Sequence, residues 1–489
     1  MTIMVVGQSS TTIKGLIRDE KTGEPLPYAN IFVLHQYTGT VSNESGNFSL
    51  NRSNLSDNDT ISFQYIGYQT RKILSSEIDS SVIISMKEDV INLNETFVYG
   101  NPPNPKDIIK KVVKNREKNY RQFSSKDQVF VRSRSISDIK ELSTDLKKNS
   151  ISQLDEQLIS NAIDKVPRHM TSFTDFLGDL YFLTDQKDSL KVAPMRTVSL
   201  MEEDIAELEQ FGKIFEKMFK DTDEEEYWKI KSGILGQKLD IENDSVNDTP
   251  TDSISETIPE NDSTQLKYFA SGIKHWLSFS QIDDTKEWEF LYDTGKYKYN
   301  LLGGSRVNGE DVYIIDFTPK SGGEYIGRAY ISTTTYALIR ADFVYAEGKT
   351  GRDLHLFGIG YTEDEFKASI YFENHDGNYR LKYISKKVGN QVSFDRNIAL
   401  IKKRKRWLMD KTLLEIKVNL DFAVQVEESV EFLFLEHLPI TDTQFSQFQQ
   451  SKKMKIQYID QFTDELWKDY PIIEPTKTMR EYKKQDIDW

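Results

Sequence analysis

The residues best suited to metal or acid–base chemistry are six histidines, spread thinly along a chain of 489 residues. A zinc peptidase needs two histidines and a carboxylate around one ion, commonly as His-x-x-Glu with a distant third ligand. No histidine in this chain has glutamate three positions later, and the pattern His-Glu-x-x-His is absent. The sequence therefore predicts no zinc peptidase site. The six are His35, His169, His275, His355, His375 and His437.

Nucleophilic and phosphate-binding signatures are missing as well. There is no Gly-x-Ser-x-Gly elbow for a serine hydrolase. Gly348-Lys349-Thr350 resembles the end of a phosphate loop, but Phe343 stands where that loop needs its first glycine. The chain has no cysteine, which excludes disulfides, zinc–thiolate sites and a cysteine nucleophile. We therefore expect a protein that is not an enzyme and that carries no cofactor and no metal.

Composition narrows the class of protein further. With 63 basic and 77 acidic residues the net charge is −14, which disfavours nucleic acid as a partner because phosphate binding needs a basic surface. Hydrophobic residues make up 38% and aromatic residues 12%, enough for real cores. No apolar run reaches the length of a transmembrane helix, about 18 residues. The length predicts two to four domains.

Residues 11–100 contain short β-rich runs separated by glycine, proline, asparagine or aspartate. Ile61, Phe63 and Tyr65 alternate with polar neighbours, as expected of a strand with one buried face. Runs at this spacing predict a seven-stranded β-sandwich. They occupy residues 13–19, 29–34, 40–50, 60–68 and 82–86.

The motifs GLIRD, TGEPLPYANIFV, GTVSNESGNFSL and ISFQYIGYQT, in this order, resemble the carboxypeptidase-regulatory-like domain. The resemblance is close to the variant carried by envelope proteins of Bacteroidota, including the N-terminal extension of TonB-dependent receptors, and the residues after 100 resemble the uncharacterised body that follows it. It implies an exported protein, in the periplasm or associated with the outer membrane. Residues 1–8 read like the end of an apolar signal segment without its basic start, which leaves two interpretations open: a truncated start, which we favour, or a frayed first strand.

The residues after the sandwich predict a body of several parts. Residues 101–239 are helical and mixed: a helix over 106–122, a strand over 127–135, helical structure over 136–165 and an amphipathic helix over 201–220. Residues 240–265 are acidic and rich in serine and threonine, which predicts a flexible loop.

Residues 266–440 alternate as an antiparallel β-meander, with hairpin turns at Asn308-Gly309 and Asp376-Gly377. Residues 441–489 form a polar C-terminal tail with a helix near 444–454. The predicted fold is mainly β with an α+β body: an N-terminal immunoglobulin-like or prealbumin-like β-sandwich, then a large curled antiparallel sheet with packed helices.

Two groups of residues are candidates for binding. The first is a basic run that ends in an aromatic residue, suited to an acidic partner or to anionic lipid head groups; a solvated hairpin tip is the alternative. The second is a set of phenylalanines that would line an apolar pocket between sheet and helices. The run is Lys402, Lys403, Arg404, Lys405, Arg406 and Trp407, and the pocket set is Phe173, Phe176, Phe211, Phe215 and Phe219.

Three functions remain open. The first is a non-enzymatic cell-envelope protein that acts through protein–protein binding at the periplasmic face of the outer membrane, or attached to it. The second is a periplasmic carrier that holds a lipid or another apolar ligand in a half-barrel, as the weaker similarity of the meander to periplasmic lipoprotein carriers implies. The third is an envelope-polymer hydrolase, motivated only by the surplus of acidic residues.

Overall fold

The computed structural model describes residues 12–89, 103–200, 225–239 and 262–483, apart from residues 35, 37, 38, 53, 54, 152, 153, 155, 185, 233, 234, 308, 309, 451, 452 and 469. Within these ranges the chain is mostly β-structure, as the sequence predicts. No helix in the described part combines the length and the apolar character needed to cross a membrane.

Seven short strands form the N-terminal sandwich, which confirms the prediction. Its two sheets have the orders β4-β1-β7 and β3-β2-β5-β6. Alternate residues of each strand point inward, and Ile17, Phe48 and Phe63 are among the side chains that close the core between the sheets. The strands are β1 (Thr12–Asp19), β2 (Asn30–Val33), β3 (Gly39–Val41), β4 (Asn47–Asn51), β5 (Thr60–Gln64), β6 (Arg71–Leu74) and β7 (Ser81–Met86).

The body is built on one sheet of fourteen strands, nearly all antiparallel. Its main path runs β13-β14-β15-β16-β18-β19-β20-β8-β9-β10-β21, with β11, β12 and β17 joined at its side. These strands are β8 (Ser125–Asn149), β9 (His169–Leu183), β10 (Gln186–Leu200), β11 (Glu226–Ser232), β12 (Leu235–Leu239), β13 (Tyr297–Val307), β14 (Glu310–Pro319), β15 (Tyr325–Ser332), β16 (Leu338–Tyr345), β17 (Asp353–Leu356), β18 (Ile359–His375), β19 (Asn378–Arg404), β20 (Lys411–Pro439) and β21 (Ile456–Tyr458).

Three neighbouring strands, β8, β19 and β20, are unusually long. They form a ribbon at the centre of the sheet. β19 has 27 residues, which corresponds to roughly 90 Å along the strand. The turn at Asp376-Gly377 starts this strand, and its φ angles of 52° and 82° confirm the predicted tight hairpin. The other predicted turn, at 308–309, lies outside the described residues.

The helices over residues 105–119, 262–278 and 289–292 pack on one face of the sheet, as expected, whereas Met479 of the last helix lies in a separate core with Phe173. Ile109 and Val112 of α1 lie in the same cluster as Trp288 and Phe290, over the strands of the meander. Asn104 caps α1, and Pro105 takes its first position, as both residue types favour. The helices are α1 (Pro105–Asn119), α2 (Glu156–Lys165), α3 (Asp262–Ser278), α4 (Glu289–Tyr292), α5 (Asp442–Gln447) and α6 (Lys477–Glu481).

Three secondary-structure predictions were wrong in part. Residues 136–149 are not helical but continue β8, and only 156–165 form a helix. Residues 266–278 belong to α3 and not to the meander, because Leu266, Ile273 and Leu277 recur at helical spacing and pack against the sheet. The helix expected at 444–454 is shorter, since α5 ends at Gln447. The predicted helix at 201–220 lies outside the described residues, as does 240–261 of the acidic segment.

Candidate binding surfaces

The C-terminal tail lies between the sandwich and the sheet and is bonded to both. The Thr40 hydroxyl donates to the carbonyl of Ile472 over 2.8 Å, and the Asn43 side-chain amide donates to the carbonyl of Glu474 over 3.0 Å. Ile472 and Ile473 are buried in a core that also contains Val41 of the sandwich. The segment predicted as a polar tail is therefore a packed part of the junction.

Arg132 ties this tail to the sheet. Its guanidinium donates two 2.7 Å bonds to Asp175 on the neighbouring strand β9 and a third bond of 2.9 Å to the carbonyl of Ile473. The side chains of Arg132 and Asp175 are 5% and 1% exposed. Burial disfavours the charged form of Arg132, but the nearby carboxylate of Asp175 outweighs this effect and raises the pKa of Arg132. The pair is buried and hydrogen-bonded on both sides, which is the arrangement that a buried charge requires.

A second carboxyl group, that of the half-buried Glu431, lies beside this pair. The Tyr383 hydroxyl donates to Glu431 over 2.9 Å, and burial raises the pKa of the Glu431 carboxyl against the opposing charge of Arg132. Tyr28 of the sandwich packs its ring 5.0 Å from that of Tyr383. The backbone of Tyr28 has a φ of 63°, a region that bulky residues rarely adopt. The junction is thus a specific, tightly packed interface.

Beside the junction, an open cleft separates the sandwich from the body. Its volume is about 1010 Å³. Phe32, Gln64 and Lys72 line it from the four-stranded sheet of the sandwich, and Arg306 and Glu373 line it from the body. The lining is part polar and part apolar and carries charges of both signs, which suits this cleft to a polypeptide segment better than to a purely apolar ligand.

The ribbon has a patch of apolar side chains at a distance from the sandwich. Val392 and Phe394 of β19 lie opposite Val424 and Phe422 of β20. On the other side, Val424 and Phe422 lie opposite Ile139 and Leu142 of β8. All six are half-buried. These side chains form a stripe of apolar residues across three strands.

The basic run lies at the far end of this ribbon, in and beside the connection between β19 and β20. Lys405 and Arg406 are exposed, and Trp407 is 96% exposed. Lys403 is half-buried. Lys402 does not belong to this surface, because its ammonium turns inward to Glu226 over 2.8 Å and its side chain is only 10% exposed.

Arg404 both binds Glu226 beneath the loop and contributes to the exposed surface of the loop. Its guanidinium donates to the same Glu226 carboxylate over 2.5 Å, although 42% of the side chain stays exposed. Leu408 and Met409, which the sequence analysis did not single out, are 85% and 82% exposed. The sequence does indicate them, because Trp407, Leu408 and Met409 are three consecutive apolar residues directly after a run of cations.

The phenylalanines proposed to line one pocket do not share a face of the sheet. Phe176 lies in the helix-covered core, with its ring 4.6 Å from Phe269 of α3. Phe173 lies in the junction core beside Val198. Residues three apart on a strand point to opposite faces, so these two side chains cannot line one cavity. Phe211, Phe215 and Phe219 lie outside the described residues.

In the part of the chain that the structure describes, no group of three or more histidine, aspartate or glutamate side chains is placed to hold a metal ion. His437 lies between Asp127, at 3.0 Å from Nδ1, and the carbonyl of Leu381, at 2.9 Å from Nε2. Both ring nitrogens of His437 are thereby held by structural partners.

The fold defines a protein in which a small sandwich is joined to a body built on one large, mostly antiparallel sheet. Comparison with protein families identifies the sandwich: residues 13–98 match the family described as CarboxypepD_reg-like domain. The N-terminal domain is therefore a carboxypeptidase-regulatory-like domain. It is 34% identical over 89 residues to the TonB-dependent receptor SusC of Bacteroides thetaiotaomicron, a match that covers 18% of this chain and 8% of that receptor.

Solved structures with partial likeness to the chain include a LolA superfamily protein from Nitrosomonas europaea, at 11% identity, a TM-score of 0.17 and coverage of 66% of this chain and 92% of that chain. Another is the MucA/MucB complex of Pseudomonas aeruginosa, at 9% identity, a TM-score of 0.19 and coverage of 67% and 93%. Both scores lie far below 0.5, so no conclusion about function rests on these likenesses.

Proposed function

We propose that the chain is a non-enzymatic cell-envelope protein that binds a segment of another protein in the cleft between its sandwich and its body. Its similarity over 89 residues to a TonB-dependent receptor supports export and a place in the periplasm or at the outer membrane. The observation that carries the proposal is the cleft itself, since it is open, large and lined by two parts of the chain that the tail holds in fixed positions.

The lining of the cleft supports a polypeptide as the ligand. Lys72 offers a cation to acidic side chains and Glu373 offers a carboxylate to basic ones, while Arg306 and Asp311 also line the cleft but pair with each other over 2.7 Å. Phe32 and Leu34 add a small apolar area on the side of the sandwich. The sheet beneath ends in β6, an exposed edge strand whose outer side is suited to pair with an extended segment.

The test is affinity purification from gently solubilised envelopes of the native host, with wild type and charge-reversed variants side by side. We expect the wild type to recover an exported protein in stoichiometric amount. The double variant Lys72→Glu/Arg306→Glu should lose it, because both cations of the cleft are reversed. Lys298→Glu is the matched control, since Lys298 is exposed on β13 and does not line the cleft. Recovery of no envelope partner, or equal recovery by all three proteins, would refute the proposal.

A second candidate function is carriage of a lipid or another apolar ligand, and the apolar patch of the ribbon favours it. Phe422 and Val424 lie at the centre of this patch. A carrier should release a bound lipid in native mass spectrometry, and Val424→Asp should lower its occupancy because a carboxylate would face the acyl chain. A wild-type spectrum without any bound mass would exclude this function and leave the cleft proposal untouched.

A further inference from the structure

The connection between β19 and β20 exposes three large apolar side chains in a row. Trp407, Leu408 and Met409 are 96%, 85% and 82% exposed. Single exposed apolar residues are common on protein surfaces, but a contiguous protruding group costs solubility and usually marks a contact site. Tryptophan has an apolar ring and a polar N–H group, which suits it to the boundary between lipid and water.

Cations surround these side chains. Lys405 and Arg406 precede them, Lys411 follows them, and all three are exposed. The carboxylate of Glu226 is engaged by Lys402 and Arg404 beneath the loop. A positive ring around an apolar tip is uncommon in a chain with a net charge of −14, and it complements a surface of negative charge.

Two hydrogen bonds hold the loop against residues 225–227. The Tyr227 hydroxyl donates to Asp410 over 2.6 Å, and the backbone N–H of Lys405 donates to the carbonyl of Glu225 over 2.8 Å. The loop also lies far from the sandwich, since about 20 residues of β19, roughly 65 Å along the strand, separate it from the Ser385 contact with Tyr28. Contact at the tip therefore leaves the cleft accessible.

We propose that residues 403–411 form a membrane-contact loop, which inserts Trp407, Leu408 and Met409 into the interface of an anionic lipid bilayer while the surrounding cations bind lipid head groups. A bilayer fits better than a protein partner because the loop is a convex tip, with apolar side chains at its end and charges behind them. This is the order in which a bilayer presents its core and its head groups. The inference is independent of the proposed protein-binding cleft.

The absence of cysteine from the chain permits a direct test. Leu408→Cys, labelled with an environment-sensitive dye, is mixed with vesicles of phosphatidylcholine alone and of phosphatidylcholine with phosphatidylglycerol. We expect a blue shift with the anionic vesicles, which added salt reduces. Lys298→Cys with the same dye reports a remote exposed position and should show no shift. No shift at position 408 with anionic vesicles, or the same shift with both lipids, would overturn the proposal.

Sedimentation of the full chain with the anionic vesicles measures the contribution of each group. Trp407→Ser/Leu408→Ser/Met409→Ser should lower vesicle binding at least tenfold, and Lys405→Ala about fivefold, the factor that corresponds to about 1 kcal/mol per cation. Leu354→Ser/Leu356→Ser is the control, because these residues are equally apolar and 53% and 54% exposed on β17. All the variants change exposed side chains, and circular dichroism checks their folding. Unchanged vesicle binding by the triple variant, or an equal loss of binding by the control variant, would overturn the proposal. The loop would then be assigned to another partner, such as an acidic protein.

Discussion

Replacement of Arg132 by methionine should loosen the junction between the tail and the sheet. The change keeps most of the side-chain volume but removes all three hydrogen bonds to Asp175 and Ile473. The Asp175 carboxylate, 1% exposed, is then left without its cation. The carbonyl of Ile473 loses its donor, so the tail loses a bond that holds it against the sheet.

The expected cost follows from the burial of the pair. Removal of one partner of a buried ion pair costs about 3–5 kcal/mol, because the remaining charge has no compensation. The double variant Arg132→Met/Asp175→Leu removes both charges and should recover most of this loss. A residual cost of about 1–3 kcal/mol is expected for the unpaired carbonyl of Ile473. The single variant should therefore be less stable than the double variant.

Urea denaturation followed by circular dichroism and tryptophan fluorescence measures the free energy of unfolding. Limited proteolysis adds a local measurement, since release of the tail should increase cleavage between residues 460 and 483 in Arg132→Met. Arg306→Met is the control, because Arg306 and Asp311 form a comparable pair that is 61% and 52% exposed. It should cost less than about 1 kcal/mol. If Arg132→Met costs no more than this control, or if the double variant is the least stable protein, the reasoning is refuted.

Three further predictions concern stability. Burial raises the pKa of Glu431, so its stabilising contribution is present at low pH and is lost as the pH rises through the folded-state pKa. Glu431→Gln should therefore raise the melting temperature at about pH 8 more than at about pH 5; the same shift at both values would contradict this. Gly272→Ala, within α3, should raise the free energy of unfolding by about 0.5–1 kcal/mol, because the added Cβ would meet no atom within 4 Å. Gly327→Ala should cost about 1–3 kcal/mol, because its Cβ would lie 2.2 Å from the carbonyl of Asp342; equal melting temperatures would refute both glycine arguments.

The ribbon explains why one prediction from the sequence failed. Ile139, Leu142 and Leu146 are spaced three and four residues apart, which is the spacing of a helix face. In the structure, Ile139 lies opposite Val424 and Glu141 lies opposite Ala423, so Lys140 is an extra residue in β8. This bulge changes the phase of the strand and brings Ile139 and Leu142 to the same face. A strand with a bulge therefore imitated a helix.

The binding surfaces could be predicted only where they are local in sequence. The loop at 403–411 is continuous, so its basic run and Trp407 were indicated by the sequence, although Leu408 and Met409 were overlooked. The cleft could not be predicted, because Gln64, Arg306 and Glu373 come together only through the packing of the sandwich against the body. Its residues have no shared motif or spacing along the chain.

The sequence by itself determined the sandwich, the hairpin at Asp376-Gly377 and the cap of α1, since each depends on interactions between residues near one another or on a regular alternation along a strand. Tertiary structure alone decided that the polar tail is a buried connector and that Lys402 faces inward. In both cases the partner is distant in sequence: Arg132 for the tail carbonyl of Ile473, and Glu226 for Lys402. The free energy of burying a polar group depends on such partners, and the pattern of one segment does not contain them.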